Sequence, residues 1–183
     1  MNRIPAAELH GVALFRGMTH DDIQSLLHAA EDVQYADGDV IFEAGSEQRA
    51  LYVLLEGSVE IDLQAPAFME TVLVRLDKKG VFGESSFFHN TPHAAKARCV
   101  GPVRVIRLKR EKYDELLVAG SVPALRMGTN AADILAARLQ ATDHWIAGML
   151  QDRQDHEVHA SWQSFRSRMA HGFSAQTVGF QPR

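Results

Sequence analysis

The sequence predicts a mainly β domain with flanking helices: an antiparallel β-barrel or jelly roll followed by a long C-terminal helix. Three observations carry this. Between Val33 and Leu108, short runs of Val, Ile, Leu, Phe and Tyr recur roughly every 8–12 residues, separated by glycine turns. No helical pattern separates these runs, which argues against a doubly wound parallel sheet. From Val122 to about Gln151 the chain then runs without a proline beyond Pro123 and carries a heptad repeat.

The chain of 183 residues fits one domain with an appendage. Hydrophobic residues make up 46% and charged residues 23%, enough for an ordinary core. The net charge of −4 does not favour nucleic acid or an anionic membrane as partner. One cysteine, Cys99, excludes an internal disulfide and a multi-cysteine metal cluster. The start "MNRIPAAELHGVALF" lacks the apolar run of a secretory leader, and no stretch of 18 apolar residues occurs. These features predict a cytoplasmic protein with no membrane association.

The first helix is expected in "THDDIQSLLHAAEDV". Thr19 is a good N-cap, Asp22 completes a capping-box variant, and Ile23, Leu26, Leu27 and Ala30 repeat at helical spacing. Strands follow at "VQY", "VIF", "LYVLL", "VEIDL", "ETVLVRL" and "VRVIRL", with turns at Asp37-Gly38, Ala44-Gly45-Ser46, Glu56-Gly57-Ser58 and Lys78-Lys79-Gly80. In "VEIDL", Val59, Ile61 and Leu63 share one face, and Glu60 and Asp62 the other. "REKYDELLVAG" is a helix ending at Gly120, and Ser121 caps the next one. Along that long helix Gly128, Ala132, Leu135, Leu139, Thr142, Ile146 and Met149 alternate by four and three. At about 1.5 Å per residue the helix would span roughly 45 Å, too far to bury its seam on a small barrel. The seam from Ala132 to Met149 predicts a homodimer; a helix folded back on its own barrel is the alternative. The tail, residues 156–183, holds Trp162, Phe165, Met169, Phe173 and Phe180, and reads either as disordered or as a docking segment for an unknown protein partner. The expected division is therefore 1–120, 121–155 and 156–183.

The chemistry concentrates in "FGESSFFHNTPHAAKARC", Phe82 to Cys99. Gly80 and Gly83 permit tight turns, and "ESSFF" can form one helical turn whose leading N–H groups attract an anion. Glu84 beside an anion is explained if it accepts from a sugar hydroxyl. In "HAAKARC", alternation puts His93, Ala95, Ala97 and Cys99 on one face and Lys96 and Arg98 on the other.

These residues resemble the cyclic nucleotide-binding domain family, as in catabolite activator proteins and the regulatory subunits of cyclic-AMP-dependent kinase. "DGDVIFEAGSEQRALYVLLEGSVEI" is similar to the family's glycine-punctuated strands, "FGESSFFHNTPHAAKA" to its phosphate-binding cassette, and "RLQATDHW" to its long dimerising helix. The resemblance covers about residues 14–152. It implies that Gly83 is the cassette glycine, Glu84 the ribose-binding glutamate and Ser85 a backbone phosphate contact. It implies too that His93 and Ala94 flank the cyclic phosphate, and that Thr142 meets the base. The implied ligand is cyclic AMP or cyclic GMP, with no other cofactor and no metal.

His93 departs from the pattern, because the family has arginine there. Arginine offers a permanently charged fork, whereas histidine is mostly neutral at pH 7 and offers one donor. Such a loss costs roughly 2–5 kcal/mol. His89, His93 and Cys99 do not share the spacing of a metal site, His156 and His159 read as a solvated turn, and Cys99 reads as core. No catalytic triad or carboxylate pair can be assembled, so no enzyme is expected. The family's winged DNA-binding module would need more than the thirty or so residues after the long helix, so DNA is disfavoured as a partner. The sequence therefore predicts a non-enzymatic regulatory or adaptor protein with weakened or lost nucleotide binding. The alternatives are a working cyclic nucleotide sensor and a truncated Crp-like transcription regulator.

Overall fold

The computed structural model describes residues 5–64 and 70–152. The chain forms two compact units, Met1–Ala136 and Ala137–Arg183. The tail at 156–183 lies outside the described residues.

The first unit opens with two 3-10 turns, Ala6–Leu9 and Ala13–Phe15, and helix α1, His20–Leu27. The capping box at its start is present in full: Asp22 N–H donates to the Thr19 hydroxyl, and Thr19 N–H donates to the Asp22 carboxylate. Strands β1, Glu31–Tyr35, and β2, Val40–Phe42, precede the long β3, Ala50–Gln64. Then come β4, Glu70–Leu76, β5, Val81–Phe82, helix α2, Glu84–Phe88, and the long β6, Ala95–Lys109. All pairings among the described strands are antiparallel, in the order β1-β6-β3-β4, with β2 on β6 and β5 on β3. The antiparallel roll is as expected.

Two strand boundaries differ from the sequence reading. "LYVLL" and "VEIDL" are one strand, not two, because Glu56-Gly57-Ser58 does not reverse the chain. The ladder with β6 shifts register at that point and continues. Gly57 lies at φ +84, and a Cβ there would sit 2.3 Å from the Pro102 carbonyl oxygen, so only glycine lets the facing strand come this close. "HAAKARC" and "VRVIRL" likewise merge into β6 across Gly101. A glycine that bends a strand and one that ends it look alike in sequence.

Alternation along these strands feeds two cores. Leu51, Val53 and Leu55 of β3 join Ile106 and Leu108 of β6 against the N-terminal turns, α1, α3 (Arg110–Val118) and the first turns of α4. Ala50, Tyr52 and Leu54 turn the other way, into the roll, with Ile41, Phe42, Val59, Phe82, Ala97, Cys99, Val103 and Val105. Both faces of the central pair are thus buried. Cys99 is a core residue, and burial pushes its thiol up to about 11.

Helix α4 spans Val122–Asp152. Ser121 caps it, accepting from Ala124 N–H. Within the first unit Ala124, Met127 and Ala131 enter the core, and Asn130 donates to the carbonyls of Leu14 and Arg16, tying the N-terminal segment to the helix. Gly128 belongs to this inward face, since a Cβ there would meet the Tyr113 hydroxyl at 2.5 Å. Ala132 and Leu139 are exposed, Leu139 to 62%, as is Thr142; Leu135 is half-buried. The side chains of Ile146 and Met149 are outside the described residues.

Candidate functional site: the cassette between β5 and β6

The cassette begins where β5 gives way to α2 at Gly83, whose φ of +80 is left-handed. A Cβ there would lie 2.5 Å from the Ala50 carbonyl oxygen and 3.0 Å from the Tyr52 ring, so the position accepts glycine alone. The first N–H groups of α2 have no acceptor within the helix. Ser85 and Ala94 are exposed beside it, while Glu84, Ser86 and Phe87 are buried. The C-terminal carbonyls of α2 are held by two arginines. Arg49 donates to the oxygens of Ser86 and Phe87, and Arg110, at the start of α3, donates to Phe87 as well. The Arg110 guanidinium also lies over the rings of Phe87 and Tyr113.

His93 closes the cassette. Its N–H donates to Ser46 O at 2.9 Å, and its carbonyl accepts from Gly45 N–H at 2.8 Å. Its ring, 7% exposed, lies flat on Phe42 with centroids 3.7 Å apart and planes within 14°. Nε2 is 2.7 Å from the Gln48 carbonyl, and the Ser86 hydroxyl lies 3.1 Å from Nδ1 and 3.2 Å from Nε2. A carbonyl only accepts, so Nε2 carries the proton and Nδ1 is left as acceptor for Ser86. Burial lowers the affinity of the ring for a second proton, and this outweighs the Gln48 acceptor and the charge of Glu84, which act the other way. At neutral pH the imidazole is uncharged, and its one N–H is engaged by the protein.

Next to His93, the roll is filled by aromatic rings: Tyr52 stacks on Phe82 at 5.0 Å, and Phe42 touches both. Desolvation pushes the Tyr52 hydroxyl up to about 12. Of the residues singled out in sequence, Gly83, Glu84, Ser85, His93 and Ala94 are brought into one cassette. Thr142 falls in the second unit, where its hydroxyl donates to Arg138 O. Sequence reasoning missed Phe42, Gln48, Ser86, Arg49 and Arg110. Only Phe42 left a signal, as an apolar residue of the expected strand "VIF"; backbone acceptors and long-range arginine contacts leave none.

β5 and β6 are thus joined by a left-handed glycine, a short helix and a returning loop. Residues 32–119 match the model of the cyclic nucleotide-binding domain. It is 25% identical over 137 residues to the CRP-like cAMP-activated global transcriptional regulator of Mycobacterium tuberculosis, covering 75% of this chain and 59% of that protein's length. A cyclic nucleotide-binding domain from Methylobacillus flagellatus superposes with a TM-score of 0.71 at 15% identity, covering 83% of this chain and 84% of that one. The catabolite activator protein of Thermus thermophilus gives 0.67 at 23% identity, covering 93% and 91%. Among the described residues no helix is long and apolar enough to cross a membrane.

Proposed function

We propose that this protein is a non-enzymatic regulatory or adaptor domain of the cyclic nucleotide-binding type in which nucleotide affinity is weakened or lost. The observation that carries the reading is the ring of His93: neutral, stacked on Phe42 and bonded at both nitrogens within the protein. To meet a cyclic phosphate it would have to give up Gln48 and gain a proton in a buried setting. What remains for an anion is the start of α2 and the exposed backbone at Ser85 and Ala94, a weaker contact than a charged fork. The protein then acts by contact, as a homodimer through the exposed Ala132–Leu139 side of α4, with residues 156–183 as a further contact for a protein partner.

The test is calorimetric titration of cyclic AMP and cyclic GMP into the full chain at pH 7.5, beside His93→Arg. Binding by the arginine variant alone supports the reading. Micromolar binding by the wild type overturns it in favour of a ligand-gated sensor; in that case the mycobacterial relative, named as a cAMP-activated regulator, is the better guide.

A further inference from the structure

We propose that Ser86, His93 and Gln48 form a proton-operated latch, so that the cassette answers to protonation of His93 where the family answers to nucleotide. The inference deepens the reading above, since it concerns what the same site does once the phosphate arginine is gone.

His93 joins three separate pieces of chain. Its backbone is bonded on both sides to the β2–β3 loop, through Ser46 O and Gly45 N–H. Its ring covers Phe42 at the end of β2 and donates to Gln48 O just before β3. Its remaining nitrogen takes the Ser86 hydroxyl from α2. The cassette helix is thus joined to the β2–β3 loop through a titratable ring, beside the two carbonyl contacts made by Arg49.

Adding a proton changes the pattern in a defined way. The new proton goes to Nδ1, and both nitrogens then donate. The Ser86 hydroxyl, which in the structure also lies 3.3 Å from Gly83 O as a donor, can no longer donate to Nδ1; it accepts from Nδ1–H and gives its proton to Gly83 O alone. No bond in the chain is broken; one hydroxyl reverses. The cost is the charge, placed in a buried ring. The charged groups on the elements around it are few. Glu84 on α2 favours the positive ring. Arg49, at the head of β3, is engaged by the carbonyls of Ser86 and Phe87. Glu43 and Glu47 lie on the β2–β3 loop, His89 follows α2, and Lys96 and Arg98 lie on β6; Glu43, Glu47, His89 and Arg98 are exposed and their fields are screened by solvent. The ring is only 7% exposed, so a charge placed there loses its hydration, and proton uptake is easier in an open form in which the ring reaches water; acid favours that form.

The experiment follows the histidine ring resonances of the full-length protein by NMR between pH 7.5 and 5.5. Over the same range it measures backbone hydrogen exchange at Gly45, His89 and His93, corrected for the intrinsic pH dependence. The latch predicts that opening of these amides rises at least about threefold toward pH 5.5, along the titration curve of His93, while amides of β3 stay unchanged. His93→Gln, which keeps a donor and an acceptor but cannot titrate, removes that rise. Corrected protection that stays flat while the ring titrates overturns the latch, and so does an unaltered rise in His93→Gln. If that variant does not fold, the wild-type comparison decides alone. The two readings fail separately: nucleotide binding at pH 7.5 overturns the loss of binding, and flat protection overturns only the latch.

Discussion

Arg49 and Arg110 donate to the same acceptor, the Phe87 carbonyl, each at 3.0 Å, one from the head of β3 and one from the head of α3. The end of the cassette helix is therefore fixed jointly to the barrel and to the helix that leads out of it. Both cations complement the negative end of the short helix.

From this shared acceptor it follows that Arg110→Ala destabilises the protein by about 1–3 kcal/mol, from the lost charged hydrogen bond and the cation–ring contacts. Arg49→Ala costs a similar amount. Because the carbonyl keeps a partner when only one is removed, the double variant loses more than the sum of the singles. Urea denaturation of the four proteins measures the coupling; strict additivity would show that the two arginines act independently.

Gly83 and Gly38 separate strain from collision. Both have φ near +80, but a Cβ at Gly38 meets nothing within 4 Å, whereas one at Gly83 meets Ala50 O at 2.5 Å. Gly38→Ala should cost about 1–2 kcal/mol, the left-handed penalty alone. Gly83→Ala should cost clearly more, or prevent folding. Equal midpoints in thermal melts would mean that the cassette backbone yields at no cost.

Leu139 tests the proposed dimer. It is 62% exposed, so Leu139→Arg removes little packing within the chain. The expected outcome is a shift from dimer to monomer in sedimentation velocity with an unchanged circular dichroism spectrum. A wild-type protein that sediments as a monomer would rule out the seam.

Stability should decline with acid in two stages. His93 is lowered by burial, so its unfolded form binds a proton first; the stability it contributes is full above about 6.5 and falls as pH drops below that value. Glu31 is lowered by hydrogen bonds from Lys109 and Arg107; its contribution is full above about 4.5 and is lost below. Half-exposed as it is, Glu31 gives the smaller effect per group. Urea midpoints from pH 8 to 4 should show the first decline vanish in His93→Gln and the second shrink in Glu31→Gln.

What the sequence made legible was whatever is periodic or stereochemically forced. The alternation of β3, the Thr19–Asp22 box and the short helix at Glu84–Phe88 follow from local rules, and all three are present. The bend at Gly57 was misread because a bulge and a turn demand the same left-handed glycine; only the facing Pro102 carbonyl distinguishes them. Gly128 fits a heptad by spacing, yet Tyr113, from another helix, fixes which way it faces. At the cassette the residues were identifiable, but the engagement of His93 was not. Gln48 contributes a main-chain oxygen, which any residue at that position would supply.

The pairing of β3 with β6 also bears on how the chain reaches its fold. These strands face each other from Ala50 opposite Lys109 to Leu63 opposite Ala95. The cassette and β4 therefore lie inside a loop that the ladder must close. Bringing such distant partners together costs loop entropy before any contact repays it, and rates fall as contacts become less local. Folding should accordingly be limited by closure of this ladder, with the cassette among the last parts to settle. Substitutions within the cassette would then change how fast the protein unfolds far more than how fast it folds.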